Sequence, residues 1–295
     1  MNPNPALKKL GFAETDRVAI IHTDDIGMSH GSYAAATDLW KVGVISSSAV
    51  MVPCGWFAKT AAFCRAMPNV DMGVHLTLTC EWDGYRWGPI STRDAASGLM
   101  DSEGFFPRTS QAVQQSANVD AARLELFAQV QRAIDAGIVP THADTHMGTV
   151  FHPKFMPAYI EVAKHFGIPV LLLRYDEAEM RARGWDADAA AWMANALREA
   201  ESDGLPLIDH IFGMPLDKPE NRLEQVFAAI DALQPGITHF LMHPSHDTPE
   251  ARAIGPDMPS RIGDFETFMD ERVGDHLRKA GVHIIGYREL RKLLK

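Results

Sequence analysis

Short apolar segments alternate with helical patterns along almost the whole chain of 295 residues, and this alternation limits the possible folds more than any other feature. Segments such as Val18–Ile21 and Val170–Leu173 are hydrophobic at every position. Strands that are buried on both faces have this composition, which favours a parallel sheet covered by helices. The predicted strands are Arg17–His22, Val44–Val52, Asp71–Leu78, Val139–Asp144, Pro169–Arg174, Leu207–Phe212, Ile237–Met242 and Val282–Ile285. The predicted helices are Ser29–Val42, Trp56–Met67, Asp120–Ala136, Pro153–Phe166, Ala187–Ser202, Pro219–Leu233, Phe265–Ala280 and Arg288–Leu294.

Eight strands with intervening helices favour an α/β fold, namely a (β/α) barrel of seven or eight parallel strands that is distorted in places. The alternative is a doubly wound open sheet. It is disfavoured because no GxGxxG or GxxxxGK[ST] motif follows the first predicted strand, where such sheets usually bind a nucleotide. We expect a single domain, residues 1–295, with a long loop insertion at residues 79–117 after the third strand.

The insertion is rich in Gly, Ser, Trp and Pro, and loops of this length in compact domains are usually functional or mobile. We expect it to form a lid or a wall of the substrate pocket, with Trp82, Tyr85 and Trp87 exposed on it; a surface excursion without a role is the alternative. These rings and Trp56 are suited to stacking on a substrate, or to anchoring a lid.

The charge of the chain excludes several classes of partner. Its 28 Lys and Arg residues, set against 38 Asp and Glu residues, are scattered and leave a net charge of −10, so we expect no nucleic acid partner. No run of 18 apolar residues and no signal-like leader occur, so we expect a cytoplasmic protein without a membrane partner. The three cysteines fit neither a disulfide framework nor a CxxC site, and we expect them to be buried small hydrophobic residues.

Histidine and aspartate recur where four predicted strands end. They occur in the segments His22–Gly27, Gly73–Thr79, Thr141–Gly148 and Met242–Asp247. Since the carboxyl ends of barrel strands converge on one pocket, we expect these side chains to meet there. Imidazoles and carboxylates without thiolates are ligands for Zn, Fe(II), Co or Ni, and three protein ligands would leave room for water and substrate. Of the adjacent Asp24 and Asp25, one could bind metal while the other removes a proton; alternatively, both are acidic residues that favour the start of the next helix.

The successive motifs in these segments resemble those of the YdjC-like carbohydrate deacetylases, the family of chitooligosaccharide deacetylase and hopanoid-biosynthesis deacetylase. The motifs are Asp24-Asp25-Ile26-Gly27-Met28-Ser29, Gly73-Val74-His75-Leu76-Thr77-Leu78-Thr79, Thr141-His142-Ala143-Asp144-Thr145-His146 and His243-Pro244. The resemblance spans about residues 17–247 in the right order. It implies a (β/α)-barrel hydrolase of carbohydrate metabolism that removes acetyl groups from N-acetylated sugars with a divalent metal.

Carried over by position, the resemblance implies that Asp25, His75 and His146 bind the metal and that Asp24 is the general base. It implies that His243 is the general acid. Many relatives continue after His146 with a His-x-His pattern, whereas this chain has Met147 and Gly148. Two imidazoles favour Zn²⁺, and the family is commonly described with Mg²⁺, so one ion of either kind is expected.

Four further side chains are weaker candidates. His142 and Asp144 lie on the same face of the fourth predicted strand as His146, so Asp144 is expected to orient a ligating imidazole and His142 is the substitute ligand. Arg174, at the end of the fifth predicted strand, is expected to pair with Asp24 or to bind substrate; the alternative is a surface ion pair. Trp82 is expected to contact the substrate. His22, His152, His239 and His246 are expected to be structural or rim residues.

Two other functions fit the same residues. One is a metal-dependent hydrolase or isomerase of another small substrate, such as a phosphoesterase, on the same barrel. The other is a non-catalytic sugar-binding protein, which is disfavoured because a binding protein needs neither a base nor an acid. The expected partner is an N-acetylated sugar or oligosaccharide, and a homodimer is the commonest assembly for such a chain.

Overall fold

The computed structural model describes residues 3–294 and contains a parallel sheet that curves into a half-barrel. Six strands follow the order β4-β3-β2-β1-β6-β5, and β7 pairs with the first residues of β1. Every pairing is parallel, so the α/β class predicted from the apolar segments is confirmed. The strands are β1 Arg17–Ile26, β2 Ser47–Val50, β3 Met72–Leu76, β4 Ala143–Thr145, β5 His210–Gly213, β6 Gly236–Met242 and β7 Val282–Ile284.

Helices connect the strands and cover the outer face of the sheet. For example, the helix after β1 begins where the Ser29 hydroxyl accepts a hydrogen bond from the amide of Ser32, and it ends at Gly43 in the left-handed conformation. The helices are α1 Pro5–Leu10, α2 His30–Val42, α3 Phe57–Ala66, α4 Ser110–Ser116, α5 Val119–Asp135, α6 Met156–Phe166, α7 Glu177–Ala182, α8 Ala187–Ser202, α9 Arg222–Asp231, α10 Pro249–Ile254, α11 Met258–Phe268, α12 Glu271–Lys279 and α13 Tyr287–Arg291. Two 3₁₀ segments lie at Ala95–Ser97 and His146–Phe151.

The side chains of β1 alternate between two environments. Ala19 and Ile21 pack outward in the cluster that contains helix residues such as Leu39. Val18 and Ile20 point inward and pack with Leu171, Ile208, Ile237 and Tyr287 at the amino end of the sheet. Because successive residues of a strand face opposite sides, the inward series continues through His22 to Asp24, and the interior changes from apolar to polar towards the carboxyl edge.

Two predicted elements differ from the structure. Residues 169–174 form isolated bridges, Ala143 with Val170 and Leu173 with Ile208, instead of a strand. The sheet therefore has seven strands in a half-barrel, and the complete barrel of seven or eight strands stays a prediction. The predicted helix Phe265–Ala280 is two helices, α11 and α12, because Asp270 caps a new helix by accepting a hydrogen bond from the amide of Arg272.

Within residues 3–294, no helix has both the length and the apolar character that crossing a membrane requires. The three cysteines Cys54, Cys64 and Cys80 are buried and free, as predicted.

Candidate metal and catalytic centre

The end of β1 brings two consecutive carboxylates into one pocket. The pairing of β1 with β2 is irregular between Thr23 and Ile26, and Asp25 has a positive φ of 61°. Aspartate and asparagine tolerate the left-handed region better than most residues with a side chain. The local turn interrupts the strand alternation, so the side chain of Asp25 contacts the same pocket as that of Asp24.

Asp25, His75 and His146 converge on one point. Asp25 Oδ1 lies 3.0 Å from His146 Nδ1 and 3.3 Å from His75 Nε2, and the ligand atoms of all three residues lie within 4.8 Å of one another. All three residues are buried, and Asp25 Oδ1 has no hydrogen-bond partner among the described residues. A cation about 2.0–2.2 Å from each ligand atom would space those atoms by about 3.0–3.5 Å, so these residues fit a divalent metal.

The outer nitrogen of each imidazole is held by a carboxylate. His75 Nδ1 donates to Asp144 Oδ1 at 2.8 Å, and His146 Nε2 donates to Glu81 Oε2 at 2.9 Å. When each imidazole is neutral, as metal binding requires, these hydrogen bonds direct the lone pairs of His75 Nε2 and His146 Nδ1 at Asp25. Metal-binding histidines in proteins are usually oriented in this way.

Charges around the centre shift the pKa values of its groups in the metal-free protein. Burial alone would raise the pKa of Asp25, but His146 and Arg261 hold it well below its usual value. Arg261, 3% exposed, donates from Nη1 to Asp25 Oδ2 at 2.6 Å and from Nε to Asp257 Oδ2 at 2.8 Å. Burial lowers the pKa of His146, but Glu81 and Asp25 more than offset this and raise it to about 9.

Asp24 lies beside this group and connects it to other histidines. Its Oδ2 is 3.7 Å from His243 Nε2, and its Oδ1 is 3.0 Å from His22 Nε2. Burial, followed by the charge of Arg261, lowers the pKa of His243, which is therefore neutral at pH 7 in the resting protein. His22 Nε2 is also 3.0 Å from Asp144 Oδ2, so one imidazole lies between the two carboxylates.

The insertion forms one side of the centre. Glu81 follows β3 closely and reaches His146, and the ring centroid of Trp87 is 6.1 Å from that of His146. Trp82 and Trp87 are 8% and 4% exposed, so the expectation that they lie exposed on a polar loop is wrong. The indole nitrogen of Trp87 donates to the carbonyl of Thr79, and the ring of Trp82 packs beside the Arg261 guanidinium.

Two weaker candidates lie away from the predicted contacts. His142 faces the interior, but its ring stacks on Tyr287 with centroids 3.8 Å apart, and it is outside the group of Asp25, His75 and His146. The structure therefore does not bring His142 together with that group, and its role as the substitute ligand stays a prediction. Arg174 pairs with Glu201 and Asp209 instead of Asp24, because its strand-like segment ends on the side of α8. Asp144 does hold a candidate ligand imidazole, that of His75.

Four residues were not predicted to contribute to the site: Glu81, Arg261, His22 and His239, the last of which lies with His22, Asp24 and Asp144. His22 had a signal, because it shares the inward face of β1 with Asp24. The sequence contained no signal that could identify the partners of Glu81 and Arg261. Glu81 lies 65 positions from His146 in the chain, and Arg261 lies 236 positions from Asp25. Met147 and Gly148, which replace the His-x-His pattern, are both left-handed, with φ of 53° and 64°, and turn the chain immediately after His146.

The fold and the site define a parallel α/β protein with a buried histidine–aspartate centre at the carboxyl edge of its strands. Residues 18–279 match the YdjC-like protein family, and the chain belongs to that family. The resemblance seen in the motifs is thereby confirmed.

Curated relatives align with nearly the whole chain. A carbohydrate deacetylase of Thermus thermophilus is 29% identical over 288 residues, which is 98% of each chain. A carbohydrate deacetylase of Thermoanaerobacter pseudethanolicus is 23% identical over 272 residues, covering 92% of this chain and 98% of the relative. A solved structure, that of a putative cellobiose-phosphate cleavage protein from Enterococcus faecalis, superposes with a TM-score of 0.76 at 19% identity and covers 93% of this chain and 99% of its own. At that identity the superposition supports the fold alone.

Proposed function

We propose that this protein is a metal-dependent hydrolase that removes an acetyl group from an N-acetylated carbohydrate. The observation that carries the proposal is the pair of imidazoles, His75 and His146, with outer nitrogens held by carboxylates and inner nitrogens directed at the unpartnered Oδ1 of Asp25. Imidazoles that are oriented by carboxylates in this way are typical ligands of a metal ion. The names of the relatives from Thermus thermophilus and Thermoanaerobacter pseudethanolicus support a deacetylated carbohydrate as the product.

Asp25, His75 and His146 would bind one divalent ion, Mg²⁺ or Zn²⁺. At such a centre a divalent ion supplies Lewis-acid polarisation of a carbonyl oxygen and acidification of water. Three protein ligands leave space for water and substrate, which is typical of catalytic rather than structural sites. Arg261 keeps one oxygen of Asp25 occupied, so that this carboxylate would offer the other oxygen to the ion.

Asp24 and His243 would carry the protons of the reaction. Asp24, ionised because His75 and His22 outweigh the effect of burial on its pKa, removes a proton from the attacking water. The new C–O bond forms as the carbonyl opens, and the C–N bond breaks when the nitrogen is protonated. His243 Nε2, 3.7 Å from Asp24 Oδ2, is near enough to receive that proton through substrate or one water and to donate it to the leaving amine. The products are acetate and a free amino sugar.

The insertion at residues 79–117 would act as a fixed wall of the substrate pocket. Glu81 and Trp87 support this role because both lie against His146. We propose that the protein works as one domain, residues 1–295, in the cytoplasm.

The test measures acetate release from a panel of N-acetylglucosamine oligosaccharides, with metal content determined on the same samples. The wild-type protein should release acetate, lose this activity on chelation and regain it with Mg²⁺ or Zn²⁺. Asp24→Asn should keep the ion held by Asp25, His75 and His146 and lose about 10²–10⁴-fold in rate, the usual contribution of a general base. Asp247→Asn is the control, because Asp247 pairs with Arg252 on the surface. Acetate release that survives complete metal removal would contradict the proposal.

A further inference from the structure

A second polar cluster lies beneath the centre, between it and the apolar end of the interior. Four side chains form this inner cluster: His22, Asp24, Asp144 and His239. Their relative exposures are 0%, 7%, 1% and 0%, and one ligand atom from each lies within 4.8 Å of the others. The cluster includes none of Asp25, His75 and His146.

The converging atoms of the inner cluster are unsatisfied. His22 Nε2, Asp24 Oδ1, Asp144 Oδ2 and His239 Nε2 have no hydrogen-bond partner among residues 3–294. His22 Nε2 is 3.0 Å from each of the two carboxylate oxygens, and in the metal-free protein Asp144 and Asp24 outweigh the effect of burial and raise the pKa of His22 to about 9. A buried polar atom without a hydrogen-bond partner destabilises the fold, so four such atoms in one place indicate an occupant that binds them all.

The spacing of these atoms matches the ligands of a cation. Ligands about 2.1 Å from an ion and at right angles to each other lie about 3.0 Å apart. The two distances from His22 Nε2 have this value, as does the distance from His146 Nδ1 to Asp25 Oδ1 in the centre above. Both groups thus contain ligand atoms at this spacing.

Charge also favours a divalent ion. Asp24 and Asp144 contribute two negative charges, which a divalent ion would balance once it displaces the proton of His22 and binds two neutral imidazoles. Burial, with a further effect of His22, lowers the pKa of His239 to about 3, so this imidazole is neutral. His239 Nδ1 lies 2.9 Å from Tyr287 Oη, and when Nδ1–H donates to that oxygen the Nε2 lone pair faces the cluster.

We propose that the inner cluster is a second divalent-metal site, with His22, Asp24, Asp144 and His239 as its ligands. Two imidazoles and two carboxylates favour an ion of the transition series, such as Zn²⁺, Mn²⁺ or Co²⁺, over Ca²⁺. The ion would fix Asp24 through Oδ1, leaving Oδ2 towards His243. It would also fix Asp144, whose other oxygen holds His75. The alternative occupant is a proton on His22, shared between the two carboxylates.

Metal stoichiometry distinguishes the two occupants. The full chain is stripped with a chelator, refilled with Co²⁺ or Zn²⁺, desalted and measured by elemental analysis against protein concentration. The wild type should bind two equivalents. His239→Gln and Asp25→Asn should each bind one, because each removes a ligand from a different site. His276→Gln, which removes a histidine on α12, should keep two.

Tyr287→Phe provides a variant that keeps all four ligands and loses only the hydrogen bond to His239. It should weaken one of the two equivalents by about 10-fold or more, seen as one displaced phase in a Co²⁺ titration followed by absorption. This variant decides the question if His239→Gln does not fold. The proposal would be overturned if the wild-type protein bound only one equivalent of metal. It would also be overturned if the wild type bound two equivalents and Tyr287→Phe left both phases of the Co²⁺ titration unchanged. A single equivalent that is lost in Asp25→Asn would overturn the second site and leave the proposed deacetylase centre intact.

Discussion

Removing Glu81 should weaken metal binding although Glu81 is not a proposed ligand. Its Oε2 accepts the hydrogen bond from His146 Nε2 and so fixes the tautomer and the orientation of the ring. Loss of such a carboxylate typically costs 10–100-fold in metal affinity, which is about 1.4–2.7 kcal/mol at 1.36 kcal/mol per tenfold change. We therefore expect the dissociation constant of Glu81→Ala to rise by one to two orders of magnitude.

The conservative variant separates orientation from charge. Glu81→Gln keeps an oxygen that can accept from His146 Nε2, and it removes the negative charge. It should lose less affinity than Glu81→Ala if orientation of the ring is the main effect. Glu103→Ala is the matched control from the same insertion, since its carboxylate pairs with Arg86 and is 62% exposed.

Isothermal titration with Zn²⁺ and competition with a chromophoric chelator both report the affinity. Thermal unfolding of the metal-free variants shows whether the fold is unchanged. The reasoning would be refuted if Glu81→Ala bound metal within twofold of the wild type. It would also be refuted if Glu103→Ala lost as much affinity as Glu81→Ala.

Further predictions concern pH, the buried ion pair and the thiols. Because the pKa of His146 is raised to about 9 in the metal-free protein and that of His75 is raised as well, metal must displace protons, so metal affinity should increase from pH 6 to pH 9. Calorimetry in buffers of different ionisation enthalpy should detect proton release, and a pH-independent affinity would contradict this. Arg261→Met leaves the carboxylate of Asp25 buried without its cation, which should lower the metal-free unfolding free energy by about 3–5 kcal/mol in urea titration; a loss below about 1 kcal/mol would show that the pair matters little. Burial raises the pKa of Cys64 to about 12, so this thiol should react with a thiol reagent at pH 8 only after unfolding, and fast labelling of the native protein would contradict its burial.

The parts of the fold that depend on local pattern could be predicted from the sequence. Apolar segments and helix periodicity located β1, β6, α2 and α8 to within a few residues. The ends of the strands located the region of the site, because parallel strands deliver their carboxyl ends to one edge. The predicted strand Pro169–Arg174 was apolar enough, but strand formation also needs continuous pairing, and only isolated bridges form there.

The parts that depend on tertiary contact could not be predicted. Trp82 was expected on the surface because its neighbours are polar, whereas its ring is buried beside Arg261. The partners of His146 and Asp25 come from the insertion and from α11, and no local pattern connects them. The metal roles of Asp25, His75 and His146 and the proton-transfer roles of Asp24 and His243 remain predictions for the experiments above.

The left-handed backbone of Asp25 places backbone strain and a buried ion pair at a single residue. A non-glycine residue in this conformation costs about 1–2 kcal/mol relative to an ordinary one, and Asp25→Gly would relieve that strain while deleting a proposed ligand and the partner of Arg261. Breaking a buried ion pair by removing one partner typically costs about 3–5 kcal/mol, which exceeds this relief. Aspartate at this turn therefore serves stability as well as the proposed chemistry, and libraries screened for heat resistance without an activity screen should keep it.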